Sequence, residues 1–220
     1  MQAALNIEQK KTEGLLLNIL PKAIADRLRK EPVLIADKFD EATILFADLV
    51  NFTQLSTRKT ATELVYLLNE IFSAFDSLTE KYGLEKIKTI GDAYMVAGGI
   101  PTSRADHAEA IAEMALDMLE DINQFSAERG EEFNIRIGIN SGPVVAGVIG
   151  TKKFIYDLWG DAVNTASRME SHGIVGGIQV SADTYKLLRD KYVFEKRGVV
   201  NIKGKGEMVT YLLIGRNVKG

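Results

Sequence analysis

The sequence contains no cysteine, which removes any disulfide framework, thiolate metal site or cysteine nucleophile. Its two histidines, His107 and His172, are too few and too far apart for a histidine-rich metal centre, so a histidine-based mechanism is not expected. Positive charge is not in surplus. The 27 lysines and arginines face 30 aspartates and glutamates for a net charge of −3, which argues against non-specific nucleic-acid binding. No apolar run approaches the roughly 20 residues that cross a bilayer, and the N-terminus lacks a signal peptide's apolar stretch and cleavage site. The chain as given is therefore expected to be cytoplasmic. Chemistry is left to carboxylates, lysine, arginine, asparagine and bound metal.

What is present suits a globular fold. At 220 residues, 46% hydrophobic and 26% charged, the chain can bury one proper core. Residues 1–31 show no strand-like alternation; Leu17, Leu20, Ile24 and Leu28 recur at helical spacing, and Pro21 is placed to start a helix over 21–30. This stretch reads as an N-terminal helical linker or dimer contact, with an ordinary packed helix as the alternative.

From Glu41 the pattern changes. Residues 42–47 form an apolar, β-branched run ending at Asp48, as a buried strand does. Thr60 and Glu63 have capping-box spacing and open a helix through about residue 81. Strands over 84–90 and 93–97 meet at Gly91-Asp92, a two-residue hairpin turn. A helix over 106–129 and a strand over 133–140 complete a β-α-β-β-α-β order. The expected fold is α+β, a ferredoxin-like core with two helices on one face of an antiparallel sheet. A C-terminal αβ extension follows. It has strands at 144–149 and 155–158, a helix at 161–170, a strand at 178–180, a helix at 182–191, and terminal strands near 193–196 and 208–214.

In this topology the first strand and the hairpin are adjacent, so Asp48 and Asp92 can converge at one sheet edge. Two hard oxygen ligands suit Mg²⁺, which takes further ligands from water and substrate phosphates. Taken singly, each aspartate is equally explained by turn chemistry. The turn after Asp48, Leu49-Val50-Asn51-Phe52-Thr53, offers free backbone amides and a hydroxyl to phosphate oxygens. The basic loop Lys203-Gly204-Lys205-Gly206 can do the same or be a plain solvated turn. Asn164 and Arg168, four apart on a helix, share one face, where Arg168 either stabilises charge near phosphate or pairs with a surface acid. Lys88 stands among Ile87, Thr89 and Ile90, an apolar setting in which a lysine usually snorkels to a sheet edge.

Four stretches in order resemble the class III nucleotidyl cyclase catalytic domain: Phe46 to Thr53, Lys86 to Met95, Tyr156 to Asn164, and Ala166 to Met169. The likeness extends over about residues 40–216. It implies a homodimer with two active sites at the interface, each using two Mg²⁺ or Mn²⁺ ions. Asp48, Asp92 and the Leu49 carbonyl match the family's metal ligands, with Phe52 and Thr53 beside the triphosphate. Lys88 and Asp157 match its base-recognition pair, Asn164 the residue that orients the ribose, Arg168 the transition-state residue and Lys203 a phosphate contact. In that arrangement one chain supplies the metal carboxylates and its partner supplies the rest.

The resemblance implies an adenylyl rather than guanylyl type, because guanylyl members typically carry Glu and a small residue such as Cys where Lys88 and Asp157 stand. ATP is thus the expected substrate. A guanylate cyclase and a catalytically silent dimerisation or nucleotide-sensing module are the alternatives. A diguanylate cyclase would carry Gly-Gly-Asp/Glu-Glu-Phe at the hairpin, where this chain has Gly91-Asp92-Ala93-Tyr94. Pro143 departs from members with an arginine near the phosphates. Residues 15–21 resemble the helical linker through which upstream sensor or transmembrane modules act, so an upstream regulatory domain is expected.

Overall fold

The computed structural model describes residues 14–30, 34–55, 57–150 and 154–217. In chain order the elements are α1 (Lys22–Lys30), β1 (Ile35–Val50), α2 (Phe52–Leu55), α3 (Ala61–Lys81), β2 (Glu85–Ile90), β3 (Ala93–Gly98) and α4 (His107–Arg129). They continue with β4 (Asn134–Ile149), β5 (Ile155–Trp159), α5 (Asp161–Ser171), β6 (Ile178–Ser181), α6 (Ala182–Leu188), β7 (Tyr192–Ile202) and β8 (Gly206–Arg216). The strands form one sheet in the order β2-β3-β1-β4-β6-β8-β7, with β5 paired to β4. The first four strands stand in ferredoxin-like order and pair antiparallel, as the sequence predicts.

Strand β1 is central and buried on both faces, which is why its sequence reads as a continuous apolar run. Leu45, Ala47 and Leu49 enter a core formed with α3 and α4, while Ala42, Ile44 and Phe46 enter a second core on the opposite face. The predicted capping box is present: the Thr60 hydroxyl accepts from the Glu63 N–H at 3.3 Å, and the Glu63 carboxylate accepts from the Thr60 N–H at 2.7 Å. In the first core Phe75 meets Tyr94 edge-on at 5.6 Å between centroids.

The two helices of the ferredoxin-like core, α3 and α4, pack on one face as expected, while residues of α1 and of α5, outside that core, enter the core on the other face. Beyond the antiparallel core, β6 of the extension pairs parallel with β4. Several element boundaries are corrected. The expected strands at 133–140 and 144–149 are a single 16-residue strand, β4. Pro143 fits inside it because β1 carries a register shift between Phe39 and Ala42 opposite, and β5 pairs only from Val145 onward. Helix α6 ends at Leu188, short of residue 191, and β7 and β8 are longer than predicted.

Helix α1 follows Pro21 as expected, but Leu20, Ile24 and Ala25 are buried against the chain's own second core beside Ile35, Tyr156 and Leu158. Leu17 is exposed. Among the described residues no helix is long and apolar enough to cross a membrane.

Candidate active site

At one end of the sheet, Asp48 of β1 stands in register with Ala93 of β3, the residue after the hairpin turn. Gly91 adopts φ 61°, the left-handed conformation a tight hairpin needs at its first central position. The Leu49 N–H donates to the Asp92 carbonyl at 3.3 Å, tying the strand end to the turn. Topology and turn chemistry therefore bring the two aspartates together, as the sequence predicts.

The sequence did not single out the two residues completing this cluster. Arg136 of β4 lies directly across from Asp48 in the ladder. Its Nη2 is 3.5 Å from Asp48 Oδ2, and its Nε donates to Glu170 Oε1, at the end of α5, at 2.8 Å. A signal existed: Arg136 sits between Ile135 and Ile137 in a predicted strand, the kind of context already noted for Lys88. Burial pushes the Asp48 carboxyl up to about 6, helped by the charges of Glu170 and Asp92 and opposed by Arg136. Glu170 is also raised, first by burial, with Arg136 pulling it back.

Two carboxylates thus share one guanidinium with Asp92 close by, an excess of negative charge that a divalent cation relieves. Among the described residues no group of three or more histidines and acids forms a metal cage on its own. Two carboxylates at a strand end fit instead an ion that completes its shell from water and phosphate.

A second pair lies on β2 and β5. Lys88 Nζ and Asp157 Oδ2 are 2.5 Å apart, both half-buried, and the other Asp157 oxygen accepts the Leu158 N–H at 2.8 Å. Ile155 and Trp159, two residues either side of Asp157, are exposed, as are Val145 and Ile149 opposite them in the ladder. The carboxylate therefore sits within an exposed apolar strip.

The third grouping is a cleft of about 410 Å³ lined by Asn164, Ser167 and Arg168 of α5 together with Asp161, Lys203, Gly204 and Lys205. The basic loop is the turn joining β7 to β8, closed by the Ile202 and Gly206 pair. Lys205, which the sequence reading left without a role of its own, forms an ion pair with Asp161 in this cleft. No acidic partner of Arg168 occurs among the described residues.

Helix α5 is seated tightly. Asn140 Nδ2 donates to the Ala162 carbonyl at 2.9 Å and Gln179 Nε2 to the Met169 carbonyl at 3.0 Å. A Cβ on Gly138 would lie 1.8 Å from the Glu170 nitrogen, so only glycine lets the helix approach the strand this closely.

Of the remaining predicted residues, Phe52 is half-buried against the first core, and the Thr53 side chain lies outside the described set. Pro143 is exposed and supplies no cation. The cleft with Asn164, Arg168 and Lys203 includes neither the two aspartates nor Lys88 and Asp157.

Comparison with known proteins identifies the family. Residues 34–215 match the family described as the adenylate and guanylate cyclase catalytic domain. An adenylate cyclase of Mycobacterium tuberculosis is 50% identical over 218 residues, covering 99% of this chain and 49% of the relative. The chain thus spans about half the length of that curated relative. Among solved structures, the guanylate cyclase domain of RhGC from Catenaria anguillulae in complex with GTP is similar, with a TM-score of 0.79 and 40% identity. That match covers 82% of this chain and all of that one. The adenylyl cyclase CyaB from P. aeruginosa is similar with a TM-score of 0.78 and 29% identity, covering 84% and 98%. The chain belongs to the adenylate and guanylate cyclase catalytic domain family.

Proposed function

We propose that this chain is an adenylate cyclase catalytic domain that converts ATP to 3′,5′-cyclic AMP and pyrophosphate in sites shared across a homodimer. Overall likeness does not choose the base, because relatives named for adenylate and for guanylate cyclase activity both match closely. The observation that carries the choice is the Lys88 and Asp157 pair, held together at a sheet edge. Adenine presents an acceptor at N1 and a donor at N6, which a lysine donor and a carboxylate acceptor complement. Guanine's O6 and N1–H could meet the same pair in another register, so the pair points to ATP through the resemblance, whose guanylyl members carry Glu and a small residue at these two positions.

The other roles follow from chemistry and placement. Asp48, Asp92 and the Leu49 carbonyl would hold Mg²⁺ or Mn²⁺, two per site, and the bound ions would lower the pKa of the ribose 3′-hydroxyl and offset triphosphate charge. The turn bearing Phe52 and Thr53 lies beside that end of the sheet. Lys203, with Lys205 beside it, grips phosphate oxygens. Asn164 orients the ribose, and Arg168, with no acidic partner among the described residues, answers the charge that grows on the α-phosphorus during in-line attack.

Homodimerisation is supported by the separation of these groups on one chain: the cleft that holds Asn164, Arg168 and Lys203 includes neither the two aspartates nor Lys88 and Asp157. The exposed strip of Val145, Ile149, Ile155 and Trp159 around Asp157 offers an apolar surface for the second copy. In this reading residues 1–31 are a linker to an upstream sensor or regulatory domain, residues 40–216 are the catalytic unit, and the reaction draws on cytoplasmic ATP. Nucleic acid is not a partner.

The test incubates the purified chain with ATP or GTP, each with Mg²⁺ or Mn²⁺, over a dilution series. Cyclic AMP should dominate and specific activity should fall on dilution. Faster turnover of GTP would overturn the substrate assignment, and dilution-independent activity below the dimer dissociation constant would overturn the shared site.

A further inference from the structure

The Asp48, Arg136 and Glu170 cluster has an asymmetry. One guanidinium faces two carboxylates, yet it makes a hydrogen bond of 2.8 Å to Glu170 and stands 3.5 Å from Asp48, beyond a good N–H···O distance. The Glu170 side chain is only 12% exposed and that of Asp48 is 24% exposed, so the three groups interact in a partly dry setting where charge is poorly screened. Glu170 is held there by the seating of α5: its backbone packs on Gly138, two residues along β4 from Arg136.

We propose that Glu170 and Arg136 are positioning residues that set the cation affinity of Asp48 and Asp92. Glu170 draws the guanidinium onto itself, so Asp48 keeps open lone pairs for a cation instead of surrendering them to Arg136. Arg136, left close by, offsets enough charge for the acids to coexist without a cation. This deepens the reading that Asp48 and Asp92 bind metal, and it rests on that reading.

The two residues then have opposite effects. Glu170→Gln removes a negative charge and releases Arg136 toward Asp48, so cation binding weakens. Arg136→Gln removes the competing cation, so binding tightens. A unit charge about 7 Å from a divalent ion changes its affinity by about tenfold in a water-like dielectric and by more in a partly dry site, so about tenfold is the smallest shift expected for each. The double variant loses one charge of each sign and should return to within about threefold of the parent. A merely structural role predicts that all three variants weaken binding, because each damages the seat of α5.

The measurement is the binding of Mn²⁺ alone, without nucleotide, followed by the electron paramagnetic resonance of the free ion. Circular dichroism checks that each variant is folded. Weaker binding by Glu170→Gln, tighter binding by Arg136→Gln and recovery in the double variant would establish the proposal. Weakening in both single variants, or no recovery in the double, would overturn it. Failure of the parent chain to bind Mn²⁺ in a manner lost in Asp48→Asn would instead overturn the metal assignment beneath it, and the proposal with it.

Discussion

If each active site takes its carboxylates from one protomer and Arg168 from the other, two dead chains must make a living one. Asp48→Ala removes a metal carboxylate, and Arg168→Ala removes the transition-state donor, a loss expected to cost about 10²–10³ in turnover. A mixed dimer of the two variants contains one site in which both defects meet and one in which neither is present. Equal mixing with free exchange gives about half mixed dimers by chance, so about a quarter of parental activity should return in the unsorted pool, and about half in isolated mixed dimers, which have one of two sites intact. The basis is the placement on the chain: the cleft lined by Asn164, Arg168 and Lys203 does not include Asp48 or Asp92. The assay co-expresses the two variants with different affinity tags, isolates dimers carrying both, and measures cyclic AMP formation against each variant alone. Doubly tagged dimers showing only the sum of the two residual activities would refute the shared site, since a complete site within one chain cannot be rebuilt by mixing.

Two further outcomes concern the scaffold around the site. Burial alone pushes Glu85, on the strand that carries Lys88, up to about 7. A carboxyl raised in the fold contributes stability that is full below its ordinary pKa near 4.5 and is lost as pH rises through about 7. Glu85→Gln should therefore stabilise the chain by about 2–3 kcal/mol at pH 8 and by less than about 0.5 kcal/mol at pH 4.5 in urea titrations; equal gains at both would refute the buried charge as cause. Gly138→Ala would place a Cβ 2.4 Å from the Met169 carbonyl carbon and closer still to Glu170, forcing α5 off its strand. A loss of about 3 kcal/mol with collapse of turnover is expected, whereas Gly215→Ala, with open space at its Cβ, should be near neutral in the same thermal melts.

What was legible in the sequence was what local chemistry determines. The Thr60 and Glu63 spacing announced its helix, and the Gly91-Asp92 turn announced the hairpin, because both signals lie within a few residues of the structure they cause. Asp48 and Asp92 could be brought together on paper because ferredoxin-like order makes β1 and β3 neighbours. The continuity of β4 was hidden because a proline ends most strands; Pro143 is tolerated only through an irregularity on β1, about a hundred residues earlier, that the local sequence does not reveal. Arg136 and Glu170 were missed for a similar reason. Their meeting depends on the register that sets Arg136 against Asp48 and on the seat that Gly138 provides for α5, neither of which has a local signature. Lys205 was only half of a basic loop until the hairpin geometry set it against Asp161.

The same helix explains why the seat is so demanding. Helix α5 carries Asn164 and Arg168 toward the cleft, while its last turn holds Glu170 against Arg136 and, through it, Asp48. Under the shared-site reading these two faces serve different active sites of the dimer, one as the ribose and transition-state half, the other beside the metal half. A shift of the helix by even an ångström would misplace a donor in one site and loosen the charge balance in the other. Hydrogen bonds from Asn140 near its start and Gln179 near its end, with backbone contact at Gly138, fix the helix at both ends, as such a double duty requires.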